Sequence, residues 1–234
     1  MPRAARRPLF TPRAALIYVG AMSSDSVRPP PPSVRSPSVR PPPPSVPPPP
    51  SVRPPLSVED VRRSPGHFVA EYLNGELAYR QRFSNRFVNV KSVIGMEIGF
   101  HFHGEASARG PGGWWILDEP ELHLGNEVIV PDLAGWRVDR LGTIGDELSF
   151  STAPDWVCEV LSPHSARMNS TQKLPIYLRE HVRHVWIVDP IAQTLVVFRH
   201  TGSQWLLAAD DGGQPIIRAE PFEAVEIHLG RAWC

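Results

Sequence analysis

The chain has 234 residues, 28 of them proline and two of them cysteine, and its formal net charge at pH 7 is zero. The zero hides two opposite charges: residues 1–57 carry eight arginines and one acid, net +7, whereas the remaining residues carry 16 basic and 23 acidic side chains, net −7. An acidic domain is a poor non-specific binder of nucleic acid, so a polyanionic substrate would need a local basic patch, a metal ion or the basic segment.

The first 57 residues read as a tail. They contain 18 of the 28 prolines, in repeats such as SVRPPPPSVR, and offer few large apolar groups to bury. Such a composition predicts a disordered, polyproline-II-like segment outside any core. Arginines ahead of the short apolar run ALIYVGA faintly resemble a signal or transit peptide, and a true translation start at Met22 or later is the alternative.

Residues 58–234 are predicted to form one domain. Residues 58–63 suggest a short helix, and residues 68–82 suggest a hairpin, because Asn74-Gly75 is the strongest two-residue turn signal. Apolar residues recur near helical spacing through residues 86–103, which predicts a helix.

Strand signals dominate from residue 114 onward. The predicted pieces are extended segments 114–124 and 126–138 with breaks at Pro120 and Pro131, a polar loop 141–152, a strand 154–161, a helix of about 168–181, strands 184–189, 194–200 and 204–209, and an extended piece at 224–229. The strands on either side of the helix predict a parallel strand–helix–strand unit. The fold class is therefore α/β or α+β, with a mixed sheet and few helices.

Two carboxylates stand at strand positions with apolar neighbours. Asp132 follows VIVP, and Glu159 lies inside WVCEVL. Such groups are costly unless they are paired or bound to a cation, and two of them on adjacent strands can hold Mg²⁺ together. The alternative for Glu159 is an arginine partner or a solvent-exposed face. Asp155 is a poorer partner for Glu159, because four strand residues span about 13 Å.

Lys173 is one of only two lysines beside 22 arginines. Lysine offers a compact charge with a shiftable pKa, which the arginine fork does not. On a helix Asn169, Lys173 and Tyr177 would share one face. The alternative is an ordinary surface lysine. Pro175 predicts that the helix begins late, near residue 171, or is kinked there.

Other chemistry is poorly supported. His101, His103 and His123 lack cysteine companions, so we do not expect a metal site there. No apolar run is long enough for a membrane helix. Cys158 and Cys234 show no motif spacing, which disfavours a disulfide framework and favours a cytoplasmic protein.

A longer pattern then becomes visible: Pro131-Asp132, the run EVLSP from Glu159, then Lys173, Tyr177 and the run VWIVDP. This order resembles the Uma-type restriction endonuclease family, a branch of the PD-(D/E)XK nuclease superfamily. The resemblance covers about residues 68–229 and includes the YLNGEL hairpin.

The resemblance implies a restriction-endonuclease-like sheet core flanked by helices. It implies that Asp132 and Glu159 bind Mg²⁺, or Mn²⁺ in its place, and that Lys173 is the catalytic lysine. The superfamily pattern puts this lysine two residues after the acid, where this chain has Leu161, so the following helix would supply it. Glu97 would match the helix carboxylate that joins the metal site in many such nucleases. The resemblance also implies a homodimer.

The sequence therefore predicts a Mg²⁺-dependent endonuclease that hydrolyses phosphodiester bonds in DNA. Asp132, Glu159 and Lys173 would be its catalytic residues, and Glu97 a further metal ligand. Two alternatives stay open: a catalytically inactive nucleic-acid-binding or assembly module of the same fold, and a hydrolase of small phosphoesters.

Overall fold

The protein is represented by a computed structural model, which describes Val61 and residues 68–81, 84–107, 109–162 and 169–233. The predicted tail, 1–57, lies outside the described residues, as does the predicted helix 58–63 apart from Val61.

The described chain forms ten strands in two sheets. The strands are β1 (Phe68–Leu73), β2 (Glu76–Gln81), β3 (Trp114–Asp118), β4 (Leu122–Leu124), β5 (Glu127–Ile129), β6 (Leu133–Arg137), β7 (Trp156–Val160), β8 (His184–Asp189), β9 (Thr194–His200) and β10 (Trp205–Asp211). A four-stranded sheet has the order β2-β1-β5-β4, and a six-stranded sheet has the order β10-β9-β8-β7-β6-β3.

The predicted hairpin is confirmed. Leu73 pairs with Glu76, which leaves Asn74 and Gly75 as the two-residue loop. Both have positive φ, 52° and 85°, as a type I′ turn requires, and asparagine and glycine tolerate that conformation best.

The strand–helix–strand unit is also confirmed. β7 and β8 are parallel, and every other neighbouring pair in the six-stranded sheet is antiparallel. The connection ends in a π-helical turn, Asn169–Lys173, that leads into helix α3, Leu174–Arg179. Pro175 stands in the first turn of α3, where its missing N–H costs little. The late start or kink predicted at Pro175 is therefore a change from π-helix to α-helix just before the proline.

Two hydrophobic cores lie on opposite faces of the six-stranded sheet. The 18-residue helix α1, Asn85–Phe102, packs on one face with the 3₁₀ helix Leu229–Trp233. Helix α3 and the four-stranded sheet pack on the other face. In β7, side chains alternate: Trp156, Cys158 and Val160 enter the first core, and Val157 enters the second. Glu159 has the parity of Val157, so it faces α3 and the four-stranded sheet.

Prolines separate the strands as predicted. Pro120 lies between β3 and β4, and Pro131 lies between β5 and β6, where the chain leaves one sheet for the other.

The predicted α+β class with few helices is confirmed. None of the described helices is long and apolar enough to cross a membrane.

Two local predictions need correction. The extended piece at 224–229 is reduced to one bridge between Ile217 and Ile227, after which the chain turns into the 3₁₀ helix. The polar loop is preceded by an unpredicted helical turn, α2, Val138–Leu141, which is too short to show a periodic apolar pattern.

Candidate active site

Five charged side chains meet where the two sheets face each other. They form the carboxylate–lysine cluster, which comprises Glu71 of β1, Arg80 of β2, Asp132 before β6, Glu159 of β7 and Lys173 of the π-helical turn. All five are buried, with at most 6% of each side chain exposed. Burial of this much charge is costly unless each charge has a partner or a bound ion.

Lys173 occupies the centre of the cluster. Its side chain is fully buried, and Nζ lies 2.8 Å from Oε1 of Glu71 and 3.1 Å from Oε1 of Glu159. Nζ also donates a hydrogen bond to the backbone carbonyl oxygen of Val130, at 3.2 Å. Three donors meeting three acceptors account for the whole ammonium group. The surface-lysine alternative is therefore wrong.

Asp132 is held at the end of β7. Its Oδ2 accepts a 2.7 Å hydrogen bond from the backbone N–H of Val160, the residue after Glu159. Its Oδ1 lies 3.1 Å from Nη1 of Arg80. The other guanidinium nitrogen, Nη2 of Arg80, lies 3.8 Å from Oε1 of Glu119. The proline break before Asp132 thus places its carboxylate against the strand that carries Glu159.

Glu159 is fixed by a second residue of the lysine-bearing segment. The hydroxyl of Tyr177, on α3, donates to Oε1 of Glu159 at 2.6 Å. Lys173 and Tyr177 are four residues apart and contact the same carboxylate, as the predicted shared face requires. Glu159 is only 2% exposed, so the solvent alternative is wrong. Among the described residues its hydrogen bonds are to Lys173 and Tyr177 and not to an arginine.

Burial and mutual repulsion shift the pKa values of Asp132 and Glu159 upward. Burial raises the pKa of Asp132 to about 7, Arg80 pulls that pKa down, and Glu159 pushes it up. Burial likewise raises the pKa of Glu159, against the opposing effect of Lys173. Burial works against the charged form of Lys173, but Glu159 and Glu71 outweigh it and raise its pKa. Lys173 is therefore an ammonium near neutral pH, and the carboxyl group of Asp132 can gain or lose a proton there.

Glu97 does not join this cluster. It lies on α1, on the first core's side of the sheet, whereas Glu159 faces the opposite side. Its Oε1 lies 2.8 Å from Nη1 of Arg231, and its Oε2 accepts from the N–H of His228. The sheet thus separates Glu97 from the other three predicted site residues.

Glu71 and Arg80 are members of the cluster that are not among the predicted site residues. Both lie on the predicted hairpin, and strand alternation places Glu71 on the same face as buried Leu73. Val69 pairs with Arg80 across the hairpin, which puts Arg80 on this face as well. A carboxylate at an inward strand position was the available signal, the same one that singled out Glu159.

The cluster fits a small divalent cation in its chemistry. Glu71, Asp132 and Glu159 offer the hard oxygen ligands that Mg²⁺ prefers. Among the described residues, Oε2 of Glu71 is buried and accepts no hydrogen bond, whereas Oδ1 of Asp132 faces Arg80 at 3.1 Å. In that part of the chain no group of three or more acidic, histidine or cysteine side chains is arranged so that it could hold a metal ion. Lys173 lies between Glu71 and Glu159, and Arg80 is paired with Asp132.

Comparison with known proteins identifies the family. Residues 70–230 match the family described as "Uma2: Putative restriction endonuclease". The chain belongs to the Uma2 family. The match spans every member of the carboxylate–lysine cluster, from Glu71 to Lys173, and it begins after the tail.

A solved structure supports the Uma2 fold. The chain is similar to a crystal structure from Anabaena variabilis ATCC 29413, described as a putative nuclease belonging to DUF820. The TM-score is 0.61 at 17% identity, and the similarity covers 76% of this chain and 98% of the other. At that identity the likeness shows the fold alone. No curated protein matches the chain.

Proposed function

We propose that this Uma2 protein is a Mg²⁺-dependent endonuclease that hydrolyses phosphodiester bonds in DNA, with Asp132, Glu159 and Lys173 as its catalytic residues. One observation carries the proposal: the fully buried Lys173 lies between the buried carboxylates of Glu71 and Glu159. Asp132 accepts a hydrogen bond from β7, the strand that carries Glu159. Structural ion pairs are rarely buried so completely, because the desolvation of each ion costs several kcal/mol.

The metal ligands in this proposal are Asp132, Glu159 and Glu71, and Glu71 replaces Glu97 in that role. A bound Mg²⁺, or Mn²⁺ in its place, supplies a water of lowered pKa and neutralises phosphate charge. The buried Oε2 of Glu71, which accepts no hydrogen bond from the described residues, supports this assignment.

The chain's own residues have separate tasks. Lys173 holds a positive charge beside the carboxylates, where it can stabilise the negative charge that develops on the phosphate. Tyr177 fixes the rotamer of Glu159 by its 2.6 Å hydrogen bond. Arg80 favours the ionised form of Asp132 and so keeps it available as a ligand.

Two observations favour the other functions. Arg80 and Lys173 already compensate the carboxylates, which suits an inactive nucleic-acid-binding or assembly module. The −7 charge outside the tail suits a small phosphoester better than a polyanion. The homodimer also stays a prediction, which sedimentation of the purified chain checks.

The decisive experiment is a cleavage assay on plasmid and single-stranded DNA with Mg²⁺, Mn²⁺ or EDTA, beside calorimetric titration of each metal. The wild type should cleave with metal only. Lys173→Met should lose cleavage, because lysine acts on charge that develops in the transition state, and should keep metal binding. Asp132→Ala should lose both.

The matched control is Lys91→Met, which changes the only other lysine. Lys91 contacts Asp118 and Glu119 at 3.0 Å, outside the carboxylate–lysine cluster. A wild type without metal-dependent cleavage of either DNA would contradict the proposal. Cleavage of a small phosphodiester alone would favour the phosphoester hydrolase.

A further inference from the structure

A cavity of about 550 Å³ lies at the opposite end of the six-stranded sheet from the carboxylate–lysine cluster. Its lining includes Arg137 at the end of β6, Asp155 just before β7 and His184 at the start of β8. The cluster lies at the other end of these strands, because Asp132 precedes β6 and Glu159 is near the end of β7. Asp155 and Glu159 are separated by about 13 Å of strand.

Among the described residues, three arginines line this cavity, and each contacts another residue of the lining. Asp155, only 2% exposed, accepts from Nε of Arg140 at 2.9 Å and lies 3.4 Å from Nε of Arg183. The guanidinium of Arg137 lies over the ring of Trp114, 5.3 Å from its centre. Arg140 is the most firmly held of the three, whereas Arg137 and Arg183 are 47% and 67% exposed and can reach a ligand in solution.

The arginines exceed what the buried acid requires. One cation is enough to compensate Asp155, and Arg140 supplies the shortest contact. The carboxylate paired with Arg137 is Asp139, which is 78% exposed and 3.8 Å away, so that pair contributes little. Among the described residues of the lining, three arginines stand against two aspartates, and the neighbouring Glu220 is paired with Arg199 at 2.7 Å. The cavity therefore has a local excess of positive charge within residues 58–234, whose net charge is −7.

The arginines of the lining suit an oxyanion. Arginine presents a planar fork of N–H donors that matches phosphate oxygens. Burial lowers the pKa of His184, so its ring is neutral near pH 7. Its Nε2 faces the carboxylate of Glu220 at 3.4 Å, so that nitrogen carries the proton, and the arginines rather than His184 would hold the phosphate.

We propose that this arginine-lined cavity binds a backbone phosphate of nucleic acid, at a site separate from the carboxylate–lysine cluster. The substrate class rests on the proposed function. The cavity would supply the local basic patch that an acidic domain needs in order to hold a polyanion.

The test measures binding without cleavage. The full chain is titrated with a fluorescent single-stranded oligonucleotide in EDTA, by anisotropy, over a series of salt concentrations. Arg183→Gln and Arg137→Gln should each weaken binding about fivefold and reduce the slope of log K against log salt by about 0.7. Arg218→Gln is the matched control, because Arg218 is an exposed arginine like Arg183: 55% of its side chain is exposed, against 67% for Arg183. Arg218 pairs with Glu226 and is not part of the cavity lining.

Each outcome decides the proposal. The proposal is overturned if Arg183→Gln and Arg137→Gln bind the oligonucleotide as tightly as Arg218→Gln does. This holds even if a titration with inorganic phosphate distinguishes these variants from the control. A wild type that binds no oligonucleotide would overturn it as well. Weakened binding in the two cavity variants supports it whether or not the wild type cleaves DNA, so failure of the nuclease assignment remains a separate result.

Discussion

Asp132→Asn should remove much of the pH dependence of this protein's stability. The pKa of Asp132 is about 7 in the folded chain and about 3.9 in an unfolded one. A raised pKa contributes stability that is fully present below about pH 4 and is lost progressively as the pH rises to about 7. Between about pH 5 and about pH 8 the loss amounts to about 2.5 kcal/mol. Asparagine cannot ionise, so urea unfolding should show the wild type losing that amount relative to the variant.

Two further variants sharpen this test. Asp139→Asn removes a carboxylate that is 78% exposed, and its stability should follow the wild type at every pH. Arg80→Met removes the cation that lowers the pKa of Asp132, so the loss of stability should move to higher pH. If the stability of Asp132→Asn runs parallel to that of the wild type across this range, the raised pKa is refuted.

Lys173→Met should cost about 3–5 kcal/mol in urea unfolding, because it leaves Glu71 and Glu159 buried without their cation; a loss below about 1 kcal/mol would show that the acids are protonated in the wild type. Tyr177→Phe should cost about 1–3 kcal/mol and raise the pKa of Glu159 further, since its hydroxyl stabilises the carboxylate. Carboxylate titration by nuclear magnetic resonance checks this, and an unchanged Glu159 would contradict it. Gly75→Ala should cost about 1–2 kcal/mol of unfolding free energy, because Gly75 has a φ of 85°; stability equal to the wild type would show that the turn relaxes.

Local signals were enough to predict most of the fold. Asn74-Gly75 marked the hairpin, and the buried run around Glu159 marked β7 together with its parallel neighbour. Nothing local indicated that β5 and β6 belong to different sheets, because the sheet change at Pro131 depends on what each strand packs against. The piece at 224–229 was mistaken for a strand because its alternating apolar residues serve one bridge and the first core.

The candidate site was predictable in part. Asp132, Glu159 and Lys173 were found because a charge in an apolar strand, or a rare lysine, is visible in the sequence. Glu71 was overlooked, since a hairpin glutamate looks like any surface acid until the hairpin's buried face is known. Glu97 was favoured by family likeness alone. The side of the sheet on which its helix packs cannot be read from helical periodicity.

The cluster draws its side chains from segments far apart along the chain, and two of them, Glu71 and Arg80, come from the hairpin. The hairpin is joined to β5 by the pairing of Tyr72 with Val128 and by a 2.6 Å hydrogen bond from the N–H of Asn74 to Oε2 of Glu127. Its Glu71 also accepts a 2.8 Å hydrogen bond from the N–H of Val130, next to the sheet change. Any chemistry at the cluster therefore exists only in the fully assembled chain. A chain in which the hairpin had not docked would lack Glu71 and Arg80 at the site.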